Sequence, residues 1–183
     1  MQAAAELFAL HGYAGTTLSQ VAQQAGVSLE TVKSLGPKAN LLRAAFESSF
    51  IGDERDPSRP PFELSSLDLS NSSVVARLLL PVVNGFAASS GIYQALESAA
   101  ATEPEAAALR EQLLTSQRDD LAGMLAAHGD VPPARRHGVT DELTFVVSHT
   151  AYGHFVLRCG WSADRYRRWA AERVAAILRA ASR

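Results

Sequence analysis

Apolar positions along this chain recur at intervals of three and four and almost never alternate. Over 73–86 the stripe runs Val74, Val75, Leu78, Leu79, Val82, Val83, Phe86, the spacing that lines one face of an α-helix. No stretch shows the sustained period-two pattern of a strand between turn residues. Alanine is abundant, and the pattern predicts an all-α fold of about nine helices.

Turn and cap residues divide this pattern into elements. Residues 1–11 predict a helix with Ala4, Leu7, Phe8 and His11 on one face and Gly12 as its stop. Thr17-x-x-Gln20 is a capping box that opens a second helix. Residues 38–51 predict a longer one, with Leu41, Leu42, Ala45, Phe46 and Phe50 turned inward. GDERDPSRPP, 52–61, is charged and proline-rich and marks a boundary, and 62–70 predict a short helical turn. In the next helix Pro81 removes one backbone hydrogen bond and bends the axis. Gly85 and Gly91 bracket its end, and 91–101 predict a shorter helix. Pro104 suits the first turn of a helix running to about His128. GDVPPARRHG, 129–138, predicts a loop, followed by helices over about 139–159 and 163–181.

Composition narrows the class. With 183 residues, 47% hydrophobic and 20% charged, the chain is ordinary for a folded protein and long enough for one large domain or a small one fused to a medium one. The start MQAAAELFAL has no basic lead, which predicts a helix already under way and no signal peptide. No apolar run approaches the roughly 20 residues of a membrane helix, so a cytoplasmic protein without a membrane partner is expected. The single cysteine, Cys159, is expected to be a small buried apolar residue. Net charge is −2 and unevenly spread. Residues 1–50 carry three basic and three acidic side chains, 51–157 seven and fourteen, and 158–183 seven and two. This is no global nucleic-acid footprint; any DNA contact rests on few cations.

The chemistry lies in TTLSQVAQQAGVSLETVKSLGPK, 16–38. Leu18, Val21, Ala22 and Ala25 precede Gly26, and Val27, Val32 and Leu35 follow it, the packing pattern of a helix-turn-helix. Gly26 permits a left-handed turn, and Ser28 is a good N-cap for the second helix. Once the apolar face is spent, Leu29, Glu30, Thr31, Lys33 and Ser34 point outward. Such a helix fits a major groove about 12 Å wide. Thr17, Ser28, Thr31 and Ser34 can bond to phosphates or bases, Lys33 can reach a phosphate or guanine, and Leu29 can touch a thymine methyl. Glu30 could accept from cytosine or repel wrong sites.

With GYAGTTL before it and GPKANLLRAAFE after it, this segment resembles the N-terminal domain of the TetR family of bacterial transcriptional regulators. The resemblance covers roughly 1–50 and rests on the Thr17 cap, Gly26, Val27-Ser28, Thr31-Val32 and Lys38 in order. It departs in having Lys33 where the family usually places an aromatic, and in the short run SLGPK. The resemblance implies a phosphate contact at Lys38. It also implies a helix-turn-helix domain over 1–37, a connecting helix over 38–51, and a helical effector-binding and dimerisation domain over 52–183.

GWSADRYRRWAAERVAAIL, 160–178, resembles the last helix pair of one subgroup of that family. Here Tyr166, Trp169, Arg173, Val174 and Ile177 form a stripe. The preceding helix is apolar nearly all round, which calls for burial on two sides. The family's dimerisation through these helices implies an interface of Val146, Val147, Thr150, Gly153, His154 and that stripe. The middle helices are expected to hold a small-molecule effector, lined by Phe86, Tyr93, Leu96, Met124, Phe145, His149 and Tyr152. His149 and Tyr152 bring polar tips to an apolar helix.

No cofactor or metal is expected. The sequence has no Glu-x-x-His pair, P-loop, G-x-S-x-G or zinc-spaced cluster, so an enzyme is disfavoured. The leading expectation is a ligand-responsive regulator, a repressor that binds a pseudo-palindromic duplex operator as a homodimer. The alternative is a ligand- or protein-binding helical dimer with impaired DNA binding.

Overall fold

The computed structural model describes residues 1–51 and 66–182. Among them helices form and no strand does. The proline-rich break at 52–61 and the first part of the turn expected over 62–70 lie outside the described residues.

Helix α1 spans Gln2–Gly15, α2 Leu18–Ala25, α3 Leu29–Lys33 and α4 Lys38–Ile51. Gly12 interrupts α1 with φ 70° and ψ 179°, a backbone conformation essentially reserved for glycine. The break frees carbonyls, and buried Thr16 answers them. Its hydroxyl lies 2.8 Å from the Gly12 carbonyl and 3.0 Å from that of Leu7. Helix α5 spans Ser72–Ala100, with the Asn71 side chain accepting from the Ser73 N–H at its start. Helix α6 runs Pro104–His128.

Four sequence-based boundaries shift. The segments expected to part at Gly85 and Gly91 form one continuous α5. A buried face running through Val83, Phe86, Ile92 and Leu96 holds both glycines in the helix. That continuity makes Ser72–Ala100 long and apolar enough to cross a membrane by length and composition. Its face from Val75 to Ala99 is nevertheless buried within the protein, as in a core helix. The loop expected over 129–138 ends early, because Pro133 starts α7, Pro133–Val146. The helix expected over 139–159 divides: Ser148 is extended and caps α8, His149–Tyr152. A π-helical turn, Gly153–Arg158, follows, and α9 spans Ala163–Ala181.

The chain forms two compact units, Met1–Arg55 with Ala87–Leu113, and Asp56–Phe86 with Leu114–Arg183. In the first, Phe8, Leu41, Leu42, Leu96, Ala106 and Leu109 close one core from α1, α4, the end of α5 and the start of α6. Phe8 is fully buried, a burial that stabilises by about 1.5–3 kcal/mol. α1 and α5 approach so closely that a Cβ on Gly91 would stand 2.7 Å from the Ala9 Cβ.

In the second unit α7 packs on α9 through Val139, Leu143 and Val146 against Ala170, Val174 and Leu178. Tyr166 lies at its centre, with its hydroxyl donating to the Val146 carbonyl at 2.8 Å. Pro81 leaves the Arg77 carbonyl without its usual helical donor. Beside it, the Arg167 guanidinium donates to the Ala76 carbonyl at 2.8 Å.

Candidate nucleic-acid interface

The interface is built from helix ends. Thr17 Oγ1 accepts from the Gln20 N–H at 3.2 Å, and Gln20 Oε1 accepts from the Thr17 N–H at 2.7 Å. This reciprocal pair starts α2 as its spacing predicts. Gly26 ends α2 at φ 66°, ψ 31°. The Val27 N–H reaches the Ala22 carbonyl at 3.0 Å and the Gly26 N–H that of Gln23 at 3.3 Å, a Schellman closure. Two residues later Ser28 Oγ accepts from the Thr31 N–H at 3.0 Å and opens α3. Glu6 on α1 accepts from Gln24 at 2.7 Å, tying α2 to α1.

Val32 is 3% exposed and anchors α3, alongside buried Val21 and Ala22. Val27 and Leu35, expected in that apolar seam, are 44% and 47% exposed. With only five residues, α3 offers little more than one turn to pack, and Val32 fills that contact.

The outward set divides by what each side chain already does. Leu29, Glu30 and Lys33 are exposed, and among the described residues Glu30 and Lys33 make no side-chain hydrogen bond or ion pair. The hydroxyls of Thr17, Ser28, Thr31 and Ser34 are engaged locally. Thr17 lies 2.9 Å from Gln20 Oε1, Ser28 lies 2.9 Å from Thr31 Oγ1, and Ser34 donates to the Thr31 carbonyl at 2.8 Å. They shape the helix ends.

Lys38 begins α4, with its ammonium 4.3 Å from the centre of the Tyr13 ring. Tyr13 stacks on Phe8 at 6.1 Å. Sequence reasoning left Tyr13 without a role. Its signal was an aromatic placed between Gly12 and Gly15, directly after the break in α1. Partial burial holds the Lys38 ammonium below the ordinary lysine range, while Glu103 pulls it back up. Arg43, also on α4, donates to the Gln112 side chain.

The helix-turn-helix as far as Val32 falls within a segment similar to known proteins. Residues 1–32 match the profile of "Bacterial regulatory proteins, tetR family". In this N-terminal segment the chain is similar to that family. A crystal structure of a transcriptional regulator from Rhodococcus sp. Rha1 superimposes with a TM-score of 0.63 at 19% identity, covering 99% of this chain and 95% of that one. That likeness shows a shared all-α fold. No curated protein matches the chain.

The other expected site residues fall into separate places. Of the effector set, Phe86, His149 and Tyr152 come together in the second unit. The His149 ring is 4.6 Å from that of Phe86, and Tyr152 is 5.9 Å from Phe86. Burial pushes the His149 imidazole down to about 3, so it is neutral, and raises the Tyr152 phenol. Tyr93 and Leu96 belong instead to the first unit, where Leu96 is core and Tyr93 lies 6.2 Å from Phe46. Met124 and Phe145 face outward at 43% and 61% exposure, because their helices bury other faces.

Of the interface set, Tyr166 is fully enclosed by its own chain, and Val146 and Val174 are buried there too. Thr150, His154 and Arg173 are exposed, while Val147, Gly153, Trp169 and Ile177 are half-buried. Around Trp169 an aromatic group gathers. Phe155 stands 4.5 Å from both Trp161 and Trp169, and the Arg165 guanidinium lies 4.0 Å from the Trp161 ring centre. Cys159, expected to be buried, is exposed. The π-helical turn brings positions five apart together, setting its Sγ 3.7 Å from His154 Nε2.

Proposed function

We propose that this chain is a ligand-responsive transcriptional regulator, a repressor that grips a pseudo-palindromic operator as a homodimer and releases it when a small effector binds. One observation carries the reading. Val32 alone is buried in α3, which leaves Leu29, Glu30 and Lys33 outward on a helix fixed by Gly26 and Ser28. Lys33 and Lys38 supply the phosphate contacts. A single short recognition helix reads few bases, so two copies with heads about 34–36 Å apart complete the site. The exposed and half-buried face bearing Thr150, His154, Trp169, Arg173 and Ile177 is the surface for the second copy.

Lys33 and Lys38 give two such cations per protomer. Four neutralised phosphates per dimer give a salt slope of about −3.6. Lys33→Ala should reduce that slope by about one per protomer. Selection from random duplex DNA, followed by titration against salt, tests the reading. A twofold-symmetric site with this slope supports it. No enriched sequence and an affinity indifferent to salt would leave a ligand- or protein-binding helical dimer instead.

For the effector, the reading rests on the neutral His149 beside Phe86 and Tyr152, an apolar cluster with two polar tips. A ligand that prefers the DNA-free arrangement weakens operator binding, and the operator must weaken ligand binding by the same factor.

A further inference from the structure

We propose that Glu30 is the base-reading residue of α3, set on its crest to accept from the N4 amine of a cytosine, so that each half of the operator holds a C·G pair at one fixed position. The inference rests on the regulator reading above and names what that surface reads.

The helix geometry carries it. Each residue turns an α-helix by about 100°, so Glu30 stands about 160° around the axis from Val32, two places on. Val32 is the anchor of α3, 3% exposed. The side chain opposite the anchor is the one held farthest from the body of the head, and here it is an exposed carboxylate. Lys33 lies about 60° to one side, on the flank that faces a phosphate. The backbone at Glu30 is held from both sides. Ser28 Oγ accepts from the Thr31 N–H at 3.0 Å, and the Ser34 N–H donates to the Glu30 carbonyl at 2.9 Å.

Glu6 on α1 shows a carboxylate that the fold itself uses, since it accepts from Gln2 at 3.0 Å and from Gln24 at 2.7 Å. Among the described residues the Glu30 side chain takes no such donor. Against a duplex it meets the repulsion of the phosphates. In the major groove guanine N7 and O6 and thymine O4 are acceptors and repel it as well, while adenine sets its amine beside the N7 acceptor. Cytosine alone offers an amine with no acceptor of its own on that edge. A recognition helix reads base edges with its N-terminal residues, and Glu30 is the second residue of α3.

An acid in a first helical turn also favours the positive end of the helix dipole. That role alone predicts a lower melting temperature on neutralisation and an unchanged sequence preference.

The test is selection from random duplex DNA by the full chain and by its Glu30→Gln and Glu30→Ala variants, with thermal melts of each. The wild-type site is expected to hold C·G at the same position of both halves. Exchanging that cytosine for thymine should weaken wild-type binding about 5- to 100-fold per half. Glu30→Gln should move the selected pair to A·T, since glutamine bonds adenine N6 and N7 together. Glu30→Ala should bind the cytosine and thymine duplexes about equally. The proposal is overturned if all three chains select the same site, or if Glu30→Ala tightens every duplex alike, which makes Glu30 a general repulsive charge. A wild-type chain that selects no sequence removes the regulator reading and this inference with it. An unchanged symmetric site in the variants leaves that reading standing and removes the role of Glu30 alone.

Discussion

Between Ala25 and Leu29 the chain turns with the help of its immediate neighbours, whereas between Val146 and Ala163 it turns by leaning on a residue twenty positions away. At the first turn the Gly26 conformation, the Schellman bonds and the Ser28 cap all come from within a few residues. At the second, α7 stops because the Tyr166 hydroxyl reaches back to the Val146 carbonyl and Ser148 Oγ donates to that of Phe145 at 2.8 Å. The first kind of turn leaves an outward helix with charged side chains available. The second draws its aromatic residues inward. A surface meant for an external partner suits local control, because its outer face then owes nothing to the core.

This contrast can be broken by substitution. The largest effect belongs to the core beneath the head. Phe8→Ala should cost about 3–5 kcal/mol in chemical denaturation, and a loss under about 1 kcal/mol would mean that local caps alone sustain it.

Next comes pH in the second unit. His149 takes up a proton near 6.5 when unfolded, but only near 3 in the fold. Between those values the unfolded chain binds more protons, so stability falls as pH drops, approaching about 1.4 kcal/mol per pH unit. Melting from pH 6.5 to 4.5 should show about 2 kcal/mol of loss that His149→Phe removes. An unchanged slope in the variant would place the effect elsewhere.

Tyr166→Phe should cost about 1–3 kcal/mol by leaving buried carbonyls without their donor. Faster amide exchange at 147–151 should accompany it. Uniform exchange across α9 would argue that the break in α7 is local after all.

The smallest effects separate two glycines. Gly26→Ala should destabilise by about 1–2 kcal/mol, since its φ of 66° disfavours a side chain. Gly123→Ala, inside α6 with open space around its Cβ, should stabilise by about 0.5–1 kcal/mol. Thermal melts of the two variants must therefore move in opposite directions.

The all-α fold and the α1–α4 starts were legible because capping boxes, left-handed glycines and N-cap serines act on bonds a few residues long. Outward Leu29, Glu30 and Lys33 followed from the same local logic. Their neighbours Thr17, Ser28, Thr31 and Ser34 also bond locally, which the sequence shows for the caps alone, since a hydroxyl that caps a helix and one that meets a phosphate look alike in sequence.

Long-range packing decided the remainder. Nothing near Gly85 or Gly91 announces that α5 continues through them; the buried face on either side does. Phe145 and Tyr152 are both aromatic residues on apolar stripes, yet one faces out and the other in, because the break at Ser148 resets the helical phase between them. Tyr166 was read as interface for the same reason: helical spacing says which side chains share a face, but not whether that face meets its own chain or another. A residue's cap is set by its neighbours, whereas its company in the core depends on which distant helix arrives, and in this chain only the assembled helices settle that.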